Sequence, residues 1–189
     1  MATPASPLTH RIAQLDDLPA LHALMNRAIA ELQKPFLSPE QIEASYKVMG
    51  LDTQLVRDGT YFVVESGGTI VGCGGWSFRA TLFGGDASIV ARDANRLDPA
   101  RDAAKVRAMY TDPAHTRRGI GAMILSLCEG AAADAGFQRV ELMATAAGVP
   151  LYRAVGYVPA DDGTEADVDG VKVPLLRMTK QLAAGPGAA

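Results

Sequence analysis

The sequence predicts one α/β (α+β) domain in which an antiparallel sheet carries helices on its faces. Two amphipathic segments precede residue 50, and β-rich runs alternate with helical periodicity after it. The chain has 189 residues, of which 48% are apolar. A domain of this length buries roughly 70% of the surface that its unfolded chain exposes. We therefore expect one hydrophobic core and a single domain over residues 8–182.

The N-terminal half predicts two helices ahead of a β-hairpin. Leucines recur at helical spacing after Asp16 and Asp17, which can cap a helix. A capping box begins at Ser38, and Gly50 predicts a left-handed stop for the second helix. The predicted elements are a strand at 8–13, the two helices, and strands at 60–65 and 69–78 around the turn 66–68.

The second strand of the hairpin is rich in glycine, at Gly72, Gly74 and Gly75. Either a ligand or another backbone comes close to it, or the strand is bulged and binds nothing; the sequence favours neither interpretation. Residues 79–103 follow as a polar stretch. Loops beyond about 15 residues are uncommon unless they bind or cover something, so we expect a lid-like insert that selects the substrate.

The second half alternates strands with helices. Its predicted elements are strands at 105–111 and 139–144, a helix from 117 or 118 to 135, a short helix at 149–155, and strands that start at 156 and 171. The two ends of the chain, 1–7 and 183–189, show no periodic pattern. We expect a flexible N-terminus and a disordered tail.

Composition excludes several classes of protein. A net charge of −3 is not compatible with the broad basic face of a dedicated nucleic-acid binder. Cys73 and Cys128 form no CxxC pair and the histidines show no metal-binding spacing, so neither a disulfide nor a metal site is expected. No apolar run approaches the roughly 18 residues of a membrane span, and the N-terminus lacks a signal-peptide pattern. The expected location is the cytoplasm, without a membrane partner.

The most informative segment is a strand that runs through a proline turn into a long helix. The helix opens with Arg117-Arg118-Gly119-Ile120-Gly121. Glycines let a ligand approach the backbone, and the first amides of a helix, its dipole and two guanidinium groups attract an anion. We interpret the segment as a pyrophosphate site; the alternative is an ordinary basic helix start.

The spacing of the glycines does not match other known phosphate-binding loops. A dinucleotide-binding fingerprint needs a third glycine where Ile124 stands, and a Walker A loop needs Gly-Lys followed by Ser or Thr. The GxSxG pattern of a serine nucleophile is also missing.

The segment resembles the acyl-CoA-binding motif of the GNAT superfamily of N-acetyltransferases, whose loop reads Gln/Arg-x-x-Gly-x-Gly/Ala. Thr116 departs from it at the first position, which removes a side-chain contact but leaves the backbone cradle. A second block, 145–157, resembles a later motif of the family through Leu151, Tyr152 and Gly156. The resemblance implies a GNAT fold with a mixed, mostly antiparallel sheet of about six to seven strands, about four helices and splayed central strands.

The resemblance also implies how acetyl-CoA would bind. The backbone of one strand would lie along the pantetheine arm, the helix amides would hold the pyrophosphate, and the strands that end near Thr111 and Thr145 would separate to admit the arm. The implied contacts are Met109, Tyr110, Thr111, Arg117, Arg118, Gly119, Ile120, Gly121 and Ala122.

Two catalytic residues follow from the same resemblance. Tyr152 matches a tyrosine that protonates the departing thiolate, since a phenol pKa of about 10 lies close to a thiol pKa of about 8.5. The alternative is a tyrosine that only packs on its helix. Glu141 resembles a glutamate that accepts the amine's proton in some members. An exposed or ion-paired glutamate is the equal alternative.

The resemblance predicts an enzyme that transfers the acetyl group of acetyl-CoA to a small-molecule or peptide amine, by direct attack of the amine on the thioester. It leaves the acceptor open and is compatible with a homodimer. The alternative is a GNAT-like module that binds CoA or another anionic ligand as a sensor, or serves as an interaction domain, without turnover. The retained Tyr152 favours the enzyme, whereas Thr116 and Thr145, which replace residues of the family's motifs, keep the alternative open.

Overall fold

The computed structural model describes residues 6–183. It shows an open eight-stranded sheet with helices on both faces. Its strands are β1 (Leu8–Ile12), β2 (Tyr61–Ser66), β3 (Thr69–Ser77), β4 (Ala104–Thr111), β5 (Arg139–Thr145), β6 (Val158–Pro159), β7 (Thr164–Val168) and β8 (Val171–Gln181). The order is β1-β2-β3-β4-β5-β8-β6, with β7 also paired to β8. Only β4 and β5 run parallel within these residues. The predicted fold class is confirmed, with more strands than expected.

Five helices accompany the sheet in the described part of the chain. They are α1 (Leu18–Leu32), α2 (Pro39–Ser45), α3 (Thr53–Arg57), α4 (Ile120–Asp134) and α5 (Val149–Ala154). The predicted flexible N-terminus and tail lie outside the described residues, apart from 6, 7 and 183. Helix α3 was not predicted, because its five residues are too few for a periodic pattern.

The capping box of α2 forms as predicted. Ser38 Oγ accepts a hydrogen bond from the Gln41 N–H at 3.2 Å, and Gln41 Oε1 accepts one from the Ser38 N–H at 3.0 Å. The predicted end at Gly50 is wrong, since α2 ends at Ser45 and Gly50 is not left-handed. Gly50 packs on another backbone instead: a Cβ there would lie 3.1 Å from Gly85 Cα.

The sheet separates two main hydrophobic cores. Helix α4 covers one face, and helices α1 and α3 cover the other. The first core centres on Trp76, Val106, Ile120, Ile124, Leu142 and Met178. The second centres on Leu21, Leu24, Ile29, Leu55, Tyr61 and Val63.

The glycines of β3 serve helix packing. A Cβ on Gly72 would lie 2.2 Å from Ile120 Cγ2, and one on Gly74 would lie 2.6 Å from Ile124 Cγ2. Bare backbone at these positions lets α4 lie close on the sheet. A ligand beside these glycines is therefore not needed to explain them, and the β3–β4 register does shift between Cys73 and Gly75, as a bulge requires.

The segment 79–103 doubles back on itself and packs against the chain near residue 50. The Ala80 N–H bonds to the Asn95 carbonyl at 2.9 Å. A Cβ on Gly85 would lie 2.7 Å from Gly50 Cα, and the Asp86 N–H donates to the Leu51 carbonyl at 3.0 Å. The insert therefore forms a wall beside the sheet.

Candidate functional site

A gap opens in the sheet where β4 and β5 separate. The two strands pair only at Ala104↔Val140 and Lys105↔Glu141. Ala108 adopts a left-handed conformation, with φ at 51°, and its carbonyl accepts a 2.6 Å hydrogen bond from Tyr61 Oη. This irregularity changes the direction of β4. Beyond it, the residues of β4 and β5 no longer pair with each other.

The backbone of β4 presents hydrogen-bonding groups to the gap. The Asp112 N–H donates to the Val71 carbonyl at 2.9 Å and therefore faces β3. Backbone groups of successive residues in a strand point to opposite sides. Tyr110 consequently turns its N–H toward β3, whereas Met109 and Thr111 turn theirs toward the gap.

Two cavities adjoin in this gap. The larger has a volume of about 590 Å³ and extends to the start of α4. The smaller has a volume of about 70 Å³ and lies beside residues 82–84 of the insert. Five residues line both cavities: Met49, Met109, Tyr110, Thr145 and Tyr152. Ligands in the two cavities would meet at these side chains.

The start of α4 borders the larger cavity with uncapped amides. Gly119 is the N-cap residue, with φ at 79°, and no side chain in the described part of the chain caps the helix. The first amide bonded within the helix belongs to Met123, which donates to the Gly119 carbonyl at 2.9 Å. The preceding amides of Ile120, Gly121 and Ala122 are free to bind an anion, and Arg117 lines the same cavity.

Arg118 points away from the predicted pyrophosphate site. Its guanidinium donates to the Ser6 carbonyl at 2.8 Å and approaches Ser66 Oγ at 3.4 Å, and it does not line the cavity. Gly121 has a packing role as well, since a Cβ there would lie 2.6 Å from Leu151 Cδ2. Of the two predicted guanidinium groups, the structure brings only that of Arg117 to the cavity.

Tyr152 lies where the two cavities meet. Its hydroxyl is 4.0 Å from Met109 Sδ. Gly148 makes room for the ring, because a Cβ there would lie 2.6 Å from Tyr152 Cε2. Burial, with a smaller effect of Cys128, raises the pKa of Tyr152 to about 12. The hydroxyl therefore keeps its proton at neutral pH.

The structure does not bring Glu141 to the cavities. Its carboxylate is 6% exposed and accepts hydrogen bonds from Lys105 and Arg177. Burial alone would raise the pKa of Glu141, but these two cationic partners outweigh it and the pKa is lowered. The residue stands near the start of β5, where β4 and β5 still pair, and lines neither cavity.

Two polar residues at the site were missed by sequence reasoning. Gln33 is 3% exposed, and its Oε1 atom has no hydrogen-bond partner within residues 6–183. Gln33 directly follows α1, and nothing in the sequence marks it. Arg107 is 5% exposed and lines the smaller cavity. A charged residue among the apolar residues of a predicted strand is the signal that could have found it.

Comparison with known proteins identifies the family. Residues 23–157 match the Acetyltransferase (GNAT) family. The chain belongs to this family. No curated protein sequence matches the chain.

Solved structures show the GNAT fold. A GCN5-related N-acetyltransferase from Rhodopseudomonas palustris superposes with a TM-score of 0.69 at 17% identity, covering 96% of this chain and 100% of its own. YncA from Salmonella typhimurium, solved with its cofactor acetyl-CoA, gives 0.61 at 20% identity, covering 96% and 99%. A PaiA N-acetyltransferase from Thermoplasma acidophilum in complex with coenzyme A gives 0.56 at 16% identity, covering 93% and 99%.

Two further searches of the described residues concern metals and membranes. Residues 6–183 contain no group of three or more His, Cys, Asp or Glu side chains that could hold a metal ion. Among the helices described, none has the length and apolar character needed to cross a bilayer.

Proposed function

We propose that this GNAT protein transfers the acetyl group of acetyl-CoA to the amine of a small molecule or peptide, by direct attack of the amine on the thioester. The observation that carries the proposal is the set of five residues that line both cavities. The larger cavity leads from the α4 amides to Tyr152, and the smaller leads from the insert to the same residue. Two structural neighbours hold acetyl-CoA or CoA.

The larger cavity has the volume of a ligand site and borders groups that would bind the pyrophosphate of acetyl-CoA. Its volume of about 590 Å³ lies within the usual range of ligand sites, about 300–1,000 Å³. The amides of Ile120, Gly121 and Ala122 and the guanidinium of Arg117 would hold the pyrophosphate. No atom of residues 6–183 lies within 4 Å of a Cβ built on Gly119, so the backbone there is open to a ligand. Bound acetyl-CoA would supply an activated acetyl group as a thioester.

The gap-facing backbone of β4 would orient the pantetheine arm. Met109 and Thr111 would pair with its amides as a neighbouring strand would. The Met109 N–H would also donate a hydrogen bond to the thioester oxygen, where negative charge develops during attack. Tyr110 turns its N–H toward β3, so its amide would not serve this purpose.

Tyr152 would donate a hydrogen bond to the sulfur as the carbon–nitrogen bond forms and the carbon–sulfur bond breaks. A phenol with a pKa of about 12 gives up its proton less readily than an ordinary phenol with a pKa of about 10. Tyr152 would therefore stabilise the departing thiolate chiefly through the hydrogen bond, with complete proton transfer uphill.

The amine would lose its proton to water. Within the described part of the chain, the residues that line the two cavities include no carboxylate. The neutral fraction of the amine would then be the nucleophile, and Gln33 Oε1 would accept a hydrogen bond from one of its N–H groups. As the tetrahedral adduct collapses, the nitrogen would lose its second proton to water, and the released thiolate would take up a proton to give CoA thiol. This account needs no dedicated base, and it assigns Glu141 no part in the reaction.

Release of CoA thiol across a panel of amines tests the proposal, with the acetylated product identified by mass spectrometry. We expect amine-dependent thiol release that Tyr152→Phe slows. If CoA binds, no amine gives release above hydrolysis, and Tyr152→Phe changes nothing, the chain is a CoA-binding sensor and the proposal fails.

A further inference from the structure

Arg107 carries a buried donor that the protein itself leaves unused. Asp52 lies 2.6 Å from Nη1, and the Gly84 carbonyl accepts a 2.8 Å hydrogen bond from Nη2. The Nε–H is buried and has no hydrogen-bond partner within residues 6–183. Buried donors are nearly always paired in native proteins. An unpaired donor beside a cavity therefore indicates a ligand that accepts a hydrogen bond from it.

The charges around the smaller cavity favour an anionic acceptor. Arg107 is the one cationic or anionic side chain among the described residues that line it. Arg107 shares the carboxylate of Asp52 with Arg92, and Arg92 also pairs with Asp86. Among the described residues of this cluster, Arg107 alone lines the smaller cavity.

The size of the cavity limits what it can take. A cavity of about 150 Å³ holds benzene. The smaller cavity measures about 70 Å³, so it has room for roughly three non-hydrogen atoms. A carboxylate group has this size. The remaining walls are largely apolar, among them Leu82, Phe83, Leu142 and Leu175.

We propose that the acceptor is a compact α-amino acid, whose carboxylate enters the smaller cavity and accepts the Nε–H of Arg107. Its amine then lies at the junction of the cavities, beside Tyr152 and Thr145. This inference rests on the proposed function and narrows its acceptor. A peptide N-terminus offers only a neutral carbonyl at the same position, and a polyamine would bring further cations beside a guanidinium.

Matched acids and amides test the inference on the unmodified protein. Thiol release is measured with L-alanine against L-alaninamide and with L-methionine against L-methioninamide. Calorimetric titration of the same compounds into CoA-saturated protein gives a second readout. The amides have the lower amine pKa, so a preference for the acids cannot come from amine reactivity. We expect kcat/KM to favour each acid by at least about tenfold, and the acids to bind more tightly.

Variants then assign the preference to Arg107. Arg107→Gln should bring acid and amide to similar kcat/KM values, and Arg107→Lys, which keeps a cation beside Asp52, should reduce the ratio while the protein stays folded. Arg92→Lys is the matched control, because Arg92 also pairs with Asp52 but does not line the cavity; the ratio should persist in it.

Each outcome decides between the two proposals. Equal or faster transfer to the amides overturns the carboxylate inference and leaves the acetyltransferase proposal standing. Tighter binding of the acids without any transfer supports the carboxylate site and defeats the acetyltransferase proposal. Failure of the acids to bind or react overturns the inference, and none of these three outcomes depends on a variant that folds.

Discussion

The side-chain amide of Gln33 donates a 3.3 Å hydrogen bond to the hydroxyl of Thr145. This contact joins the end of α1 to the end of β5, beside the junction of the two cavities. Gln33 Nε2 also approaches Met49 Sδ at 3.8 Å, which leaves Oε1 as the unpaired atom of the amide. In the proposed reaction, this buried oxygen would accept a hydrogen bond from the amine of the acceptor substrate.

Gln33→Met should therefore lower kcat/KM for the amine substrate. Loss of one hydrogen bond of about 1–2 kcal/mol predicts a fall in kcat/KM for the amine of about 5- to 30-fold. CoA affinity should not change. Gln54→Met is the control, because its amide bonds to Asp58 at 2.8 Å and lines neither cavity. Steady-state kinetics with equal losses in both variants would contradict the role of Gln33.

Tyr152→Phe should lower kcat and leave CoA binding intact. Removal of the group that stabilises the leaving thiolate predicts a loss of about 100-fold or more in kcat. Tyr46→Phe provides the control, since the Tyr46 hydroxyl donates to the Asn26 carbonyl and lies away from the cavities. If kcat is unchanged in Tyr152→Phe, Tyr152 has only a packing role.

The pH profile tests the raised pKa of Tyr152. An acid acts below its pKa, and burial raises this pKa to about 12. The rate should rise with the neutral fraction of the amine and should not fall again below about pH 11. A descending limb near about pH 10 that vanishes in Tyr152→Phe would mean that the hydroxyl titrates with an ordinary pKa.

Gly119→Val should weaken CoA binding, by about 1–3 kcal/mol if one amide contact is lost. Valine resists the φ of 79° and adds bulk beside the open amides. Gly170→Val is matched to it, because Gly170 has φ at 87° and also has open space around its Cβ position. Both variants should lose stability, whereas calorimetry should show an affinity loss only for Gly119→Val.

The two arginines at the start of α4 should behave differently. Arg117→Gln should reduce CoA affinity by about three- to tenfold and weaken its salt dependence, because the exposed guanidinium lines the cavity. Arg118 bonds to Ser6 instead, so Arg118→Gln should preserve that affinity. Equal losses of CoA affinity in both variants would mean that Arg118 also contacts the pyrophosphate.

Glu141→Gln should affect stability rather than catalysis. Removing one partner of a buried ion pair predicts a loss of about 3–5 kcal/mol in the free energy of unfolding. The pKa of Glu141 is lowered in the fold, so its contribution exists above the unfolded pKa of about 4.3 and is lost as pH falls through the folded value. Urea unfolding should therefore show a flatter acid limb for the variant. A collapse of kcat in folded Glu141→Gln would restore its role as a base.

Local chemistry made part of the fold predictable. The capping box at Ser38, the hairpin turn at Gly67 and Gly68, and the glycine-led start of α4 depend on neighbouring residues, so their sequence signals suffice. The strand partners of Glu141 could not be foreseen in this way. Its ion pairs with Lys105 and Arg177 form only when β5 lies between β4 and β8.

The sequence by itself determined most of the element order and the family resemblance, because these depend on periodicity and on local motifs. It missed α3 and β7, and it started helix α4 at Arg117 or Arg118 rather than at Ile120. The pyrophosphate site at the start of α4 stays a prediction. Tertiary structure alone decided which side chains meet at the gap. Parting of β4 from β5 brings Gln33, Arg107 and Tyr152 to two adjoining cavities from three distant segments. It also keeps Glu141 away, because long-range pairing, rather than spacing along the chain, sets where a strand residue lies.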